Sequence, residues 1–153
     1  NYAGSKERAV LGIDTPLPGD ALREAYVTGK GGSPLEDLLK TITAAFSDFG
    51  GQDKELFRKR RRIIQQNPEL AIKEFARMEE AQASIVDLVR ERLRAGGPGR
   101  PDGEVRDEAR MVVSLTFGLM HYIVRDWITG GFPSDAGDVL QHAIDLARQV
   151  ATA

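Results

Sequence analysis

Apolar residues along this chain recur every three or four positions, and clusters of glycine and proline cut that pattern into segments. Ser5, Glu7 and the Ala9-Val10-Leu11 run form the capped start of a short helix, which Pro16, Pro18 and Gly19 break. Asp20 is the expected cap of a segment over Ala21–Thr28, and the run from Gly29 to Gly32 ends it. Ser33-Pro34 sets an N-cap before a proline at the first helical position. Leu35, Leu38, Leu39, Ile42, Ala45, Phe46 and Phe49 follow at helical spacing until Gly50-Gly51. Asp53 opens a segment whose buried side is Leu56, Phe57, Ile63 and Ile64. Asn67-Pro68-Glu69 repeats the cap, proline and acid signal and predicts a long helix to about Ala95. Gly96–Gly103 is a flexible loop by composition. A second long helix covers Glu104–Thr129 and stops at Gly130-Gly131. Ser134-Asp135 caps a last helix to about Ala151. With no alternating run bounded by a hairpin turn, the expected fold is all-α, a multi-helix bundle.

Two of these helices carry more apolar surface than one buried face needs. On the Glu104–Thr129 helix, Val112, Thr116, Leu119, Ile123 and Trp127 form one face. Val113, Phe117, Met120, Val124 and Ile128 continue it, and Leu115 and Tyr122 extend the other edge. The apolar arc covers roughly two-thirds of the circumference, interrupted by Ser114, Gly118, His121 and Arg125. The last helix adds Leu140, Ala143, Ala147 and Val150, with Val139, Ile144 and Leu146 beyond. One expectation is a homodimer in which these two helices of each copy make a four-helix contact. Its interface would comprise Ser114, Phe117, Gly118, His121, Arg125, Ile128, Leu140, Ala143, Ala147 and Val150. The other is that both helices form the centre of a monomeric core.

Composition narrows the function classes. The 153 residues are enough for one domain with a substantial core. A net charge of -2 argues against a surface devoted to nucleic acid. The absence of cysteine excludes disulfides, thiolate metal sites and cysteine nucleophiles. No apolar run is long enough to span a membrane, and a cytoplasmic setting is the expectation.

Catalytic constellations are sparse. His121 and His142 lie in no Glu-x-x-His or His-Glu-x-x-His arrangement. Asp138 and His142 share a helix face, which suits a metal, but an acid near a helix start is explained by the dipole. No nucleophile elbow, phosphate loop or dinucleotide fingerprint occurs, so no enzyme activity, cofactor or metal is expected. The basic run Arg58–Arg62 points all round its axis. It is either a solvated helix, with Glu55–Lys59 as an i,i+4 pair, or a contact for an anion.

On the Pro68–Ala95 helix, Phe75, Met78, Val86, Val89 and Leu93 form an inward stripe, with Gln82 within it and Glu79 at its edge. A buried amide must be hydrogen-bonded to protein, water or ligand. Phe75, Met78, Glu79 and Gln82, facing Val112, Thr116, Leu119, Tyr122 and Ile123, are therefore the candidate lining for a small apolar or amphipathic molecule. A core glutamine satisfied by a neighbouring helix is the equal alternative.

Asn1-Tyr2-Ala3-Gly4-Ser5-Lys6-Glu7, with Ala9-Val10-Leu11, resembles the end of the helix-turn-helix and the start of the connecting helix in TetR-family transcriptional regulators. The Arg-rich segment ending in Gln66-Asn67-Pro68-Glu69-Leu70, Trp127 before Gly130-Gly131, and the two closing helices are similar to the effector domain of actinobacterial members. The resemblance divides the chain into residues 1–12, a junction and connecting helix, and 13–153, an effector-binding and dimerisation domain with a TetR-like fold. It implies a homodimeric repressor that binds a small effector. Tyr2 and Lys6 would be the remnant of its DNA-binding part, and operator DNA would be reached only through a helix-turn-helix that these residues lack. A chain opening on an aromatic and a Gly-Ser turn, with no initiator Met, reads as continuing from something upstream. A free-standing helical adaptor that docks another protein is the rival expectation.

Overall fold

A computed structural model of the chain describes residues 17–29, 31–50, 54–129 and 136–153. Those residues form six helices and no strand: α1 (Asp20–Thr28), α2 (Pro34–Gly50), α3 (Lys54–Gln66), α4 (Pro68–Gly96), α5 (Asp102–Thr129) and α6 (Ala136–Thr152). The all-helical expectation therefore holds. The expected junction and connecting helix, with Tyr2 and Lys6, lie outside the described residues.

Local chemistry explains the helix ends, and it differs from the sequence reading at three of them. Gly19, not Asp20, is the N-cap of α1; Asp20 is its first helical residue, with its charge at the positive end of the dipole. Ser33 caps α2 as expected, its hydroxyl accepting the Glu36 N–H at 3.4 Å. Asn67 precedes α4 with an extended backbone, but its amide donates backward to the Ile63 carbonyl at 2.7 Å. It closes α3 rather than capping α4. Finally, α5 begins at Asp102 instead of Glu104, because the Pro101 carbonyl accepts the Val105 N–H at 3.1 Å. That bond carries Gly103 into the helix.

Helices α4 and α5 form an antiparallel hairpin about the turn 97–101, the dominant packing pair of the bundle. Helix α1 packs on α4, α2 on α1, α4 and α5, α3 on α4, and α6 on α5 and α2. The main core joins Tyr26, Leu38, Ile85, Leu88, Val89, Leu93, Val105, Ala109 and Val113. A smaller core joins Leu39, Ile123, Ala143 and Ile144. Leu38 and Leu39, adjacent on α2, point into different cores, which makes α2 the wedge between them.

The long apolar stripes are split along their length. On α4, Ile85, Leu88, Val89 and Leu93 are buried under α1, α2 and α5. Phe75, on the same stripe by spacing, is 65% exposed, and Ile72 and Met78 are exposed too. At that end α4 meets α3, where Arg60 and Glu74 form a mostly buried ion pair at 3.1 Å. The expected inward direction of Phe75 and Met78 is thus corrected. On α5 the apolar arc is likewise divided. Val105, Ala109, Val113, Thr116 and Ile123 are buried, while Met111, Leu115 and Tyr122 face outward.

Candidate functional site

The most constructed polar feature is centred on Arg92, a residue to which the sequence pattern drew no attention. It stands four positions after Leu88 and seven after Ile85, on the apolar side of α4, and is only 6% exposed. A buried guanidinium must find acceptors. Arg92 Nη1 donates to the Tyr26 carbonyl at 3.2 Å; Nη2 donates to the Gly32 carbonyl at 3.1 Å and to Asp37 Oδ2 at 2.6 Å. The guanidinium also lies over the Tyr26 ring, 4.7 Å from its centroid. One side chain of α4 thereby fixes the end of α1, the α1–α2 turn and the first turn of α2. The Tyr26 hydroxyl donates to the Pro34 carbonyl at 3.0 Å. Burial pushes its pKa up to about 12, opposed by Arg92 and reinforced by Asp37.

Glycines make room for these groups. A Cβ at Gly32 would collide with the Asp37 carboxylate. One at Gly29 would stand 3.2 Å from Arg92 Nη1, and one at Gly97 would stand 2.9 Å from Arg100 Cδ. Gly31 turns the chain through the left-handed region at φ 78°, where a side chain is strained. The sequence reading treated these glycines as punctuation, and they do end helices. Three of them also stand against the charged side chains of this region.

Beside Arg92 lies a half-open groove of about 690 Å³, lined by Val27, Thr28, Gly29, Gly31, Gly32 and Pro34 on one side and by the end of α4 and Arg100 on the other. Its charged lining residues are Arg92 and Arg100, with apolar surface from Val27, Pro34, Leu93 and Ala95. Arg100 pairs at the surface with Glu108.

A second feature lies on the outer face of α5. Met111, which is 60% exposed, Leu115, Gly118 and Tyr122 follow at four-, three- and four-residue steps and make one lengthwise strip. Ser114, His121 and Arg125 are exposed beside it. Gly118 has no positive φ, and among the described residues nothing outside its own helix comes within 4 Å of where its Cβ would stand. Glycine inside a helix costs about 1 kcal/mol relative to alanine, and no described residue of another element packs against this position.

The residues expected to line a ligand site are dispersed. Thr116 and Ile123 are buried in the cores. The Thr116 hydroxyl donates to the Val112 carbonyl of its own helix at 2.7 Å. Val112 and Leu119 are half-buried against the two cores. Gln82 is half-buried, whereas Phe75, Met78, Glu79 and Tyr122 are exposed. None of the nine lines the groove beside Arg92.

The expected interface set also divides. Ala143 is enclosed within one copy, between α5 and α6, which corrects its placement at an intermolecular contact. Phe117 packs half-buried against the main core, and Leu140 against the smaller one. Ala147 is half-buried, while Val150 is 70% exposed. The Ile128 side chain lies outside the described residues. Of the basic run, Arg60 turns inward to Glu74, and Lys59 pairs with Glu55 at 3.4 Å in solvent.

Among the described residues no group of three acidic, histidine or cysteine side chains could hold a metal, and no helix is long and apolar enough to cross a membrane. His121, Asp138 and His142 are exposed. No family model, curated protein or solved structure matches the chain.

Proposed function

We propose that this chain is the effector-binding and dimerisation domain of a TetR-like transcriptional regulator. In this reading it acts as a repressor whose operator DNA is contacted through helix-turn-helix heads, with Asn1–Gly12 as the junction. The observation that carries the dimer is Gly118 at the centre of an exposed apolar strip. A second copy crossing antiparallel at Gly118 would bring its helix backbone into the open space that a side chain would fill. About such a twofold axis, Leu115 of each copy falls opposite His121 of the other, one position from Tyr122, and Met111 opposite Arg125. An effector that binds one arrangement of the two copies more tightly would bias the spacing of the heads by no more than that preference.

Light scattering across micromolar concentrations tests the dimer. The expected result is a dimer that Leu115→Lys and Gly118→Leu each convert to a monomer with a retained helical circular-dichroism spectrum. Gly118→Ala separates the two roles of the glycine. It should stabilise a monomeric helix by about 0.5–1 kcal/mol, and in the dimer it should weaken association instead. A wild-type monomer at these concentrations, or a dimer indifferent to all three changes, overturns the reading. Co-purification of a different protein on the strip, without self-association, would favour the adaptor.

A further inference from the structure

We propose that the groove between the α1–α2 turn and the α4–α5 turn binds an amphipathic anion, a carboxylate carried on an apolar body. This gives the effector of the proposed regulator a place and a chemistry; only the consequence of binding rests on that reading.

The volume, about 690 Å³, lies within the range of pockets that take a small molecule. Its lining pairs two guanidinium-bearing residues with apolar surface from Val27, Pro34, Leu93 and Ala95. Among the described residues no carboxylate lines it; Asp37 and Glu108, which pair with the two arginines, are not among the lining residues. The two arginines have different tasks. Arg92 is locked by two carbonyls and Asp37, so it supplies a fixed positive wall, and those bonds do not use all the N–H groups of a guanidinium. Arg100 pairs with Glu108 in an arrangement about as exposed as a surface ion pair. Such pairs contribute about 0–1 kcal/mol, so an incoming carboxylate can take Arg100 from Glu108 at little cost. The planar fork of Arg100 suits a carboxylate bidentately.

Other polar groups at the rim are already committed. The Thr28 hydroxyl donates to the Glu24 carbonyl at 2.8 Å. The glycines at 29, 32 and 97 stand against Arg92, Asp37 and Arg100, so the backbone comes close to these charged groups. The apolar body would lie against Leu93 and Val27, and the open side would leave its far edge in solvent.

The test titrates the chain with decanoate, 1-decanol and decylammonium, each below its aggregation threshold, following amide chemical shifts by NMR. Oligomeric state is read by light scattering in the same samples. Decanoate should shift the Gly29, Gly31, Gly32, Gly96 and Gly97 amides saturably, about tenfold more tightly than decanol, a difference of about 1.4 kcal/mol. Arg100→Gln should remove most of that advantage while leaving decanol binding unchanged. Ala95→Trp, which puts an indole on the groove wall, should abolish both. Equal binding of decanol or decylammonium overturns the anion. Shifts that fall elsewhere, or indifference to both substitutions, overturn the site. A dimer whose groove amides do not move defeats this proposal and spares the regulatory reading; a monomer that binds decanoate in the groove does the reverse.

Discussion

The two ends of the α4–α5 hairpin are built from the same kinds of residue and do opposite things with them. Near the turn, α4 is covered by α1, α2 and α5, and its apolar side chains are packed around an arginine bonded to two carbonyls and Asp37. Toward the other end, Ile72, Phe75 and Met78 on α4 and Tyr122 on α5 remain in solvent. One helix thus runs from a core element into an exposed one without a change in its hydrophobic spacing. Periodicity says which side of a helix is apolar; it does not say how far along the helix a neighbour extends.

The largest expected contrast follows from this. Leu88→Ala, at a side chain with no exposure, removes buried methyls and leaves a cavity, costing about 2–5 kcal/mol in denaturant unfolding. Phe75→Ser removes a larger side chain at the other end, yet should change stability by less than about 0.5 kcal/mol. Equal losses at the two positions would mean that α4 is covered along its whole length.

Polar groups give the next contrast. Arg92→Leu leaves the Tyr26 and Gly32 carbonyls without their donor and strips Asp37 of its partner, and should cost about 2–3 kcal/mol. Arg148→Ala removes two short bonds to Glu36, at 2.7 and 2.6 Å, that look stronger on distance alone. Arg148 is exposed, however, so solvent screens the pair and its loss should cost less than that of Arg92. Thermal unfolding of the two variants side by side decides whether burial or distance sets the value.

Much of the bundle was legible from sequence because its helix ends are written in local chemistry. Ser33-Pro34, Asn67-Pro68 and Gly96-Gly97 mark boundaries through backbone requirements that hold whatever the helix packs against. The Arg92 site was not legible in that way. Its acceptors, the Tyr26 and Gly32 carbonyls and the Asp37 carboxylate, lie some sixty residues away along the chain, and two of the three are backbone groups that any sequence supplies. One signal was present: a charged residue four positions after Leu88, inside an apolar stripe, must be paired. Thr116 illustrates the converse. Its position on the apolar face of α5 suggested a ligand contact, and its hydroxyl is instead consumed by the carbonyl one turn back.

The smallest effect is also the most specific to the turn end, because it depends on the enclosure of one phenol. Tyr26 has a pKa raised from 10.0 to about 12, chiefly by burial. Between those pH values the unfolded chain releases the phenolic proton while the folded chain keeps it, so the unfolded state binds fewer protons and stability falls as pH rises. The steepest fall attributable to this group is about 1.4 kcal/mol per pH unit. Tyr26→Phe removes that dependence and also removes the bond to the Pro34 carbonyl, so it should be about 1 kcal/mol less stable at neutral pH. The two stability curves, measured by urea unfolding, should therefore converge above pH 10 and cross before pH 12, because the titration removes more than the bond to Pro34 contributes. Curves that stay parallel throughout would mean that the phenol is as hydrated in the folded chain as in the unfolded one, and that the turn end is no better sealed than the end that carries Phe75.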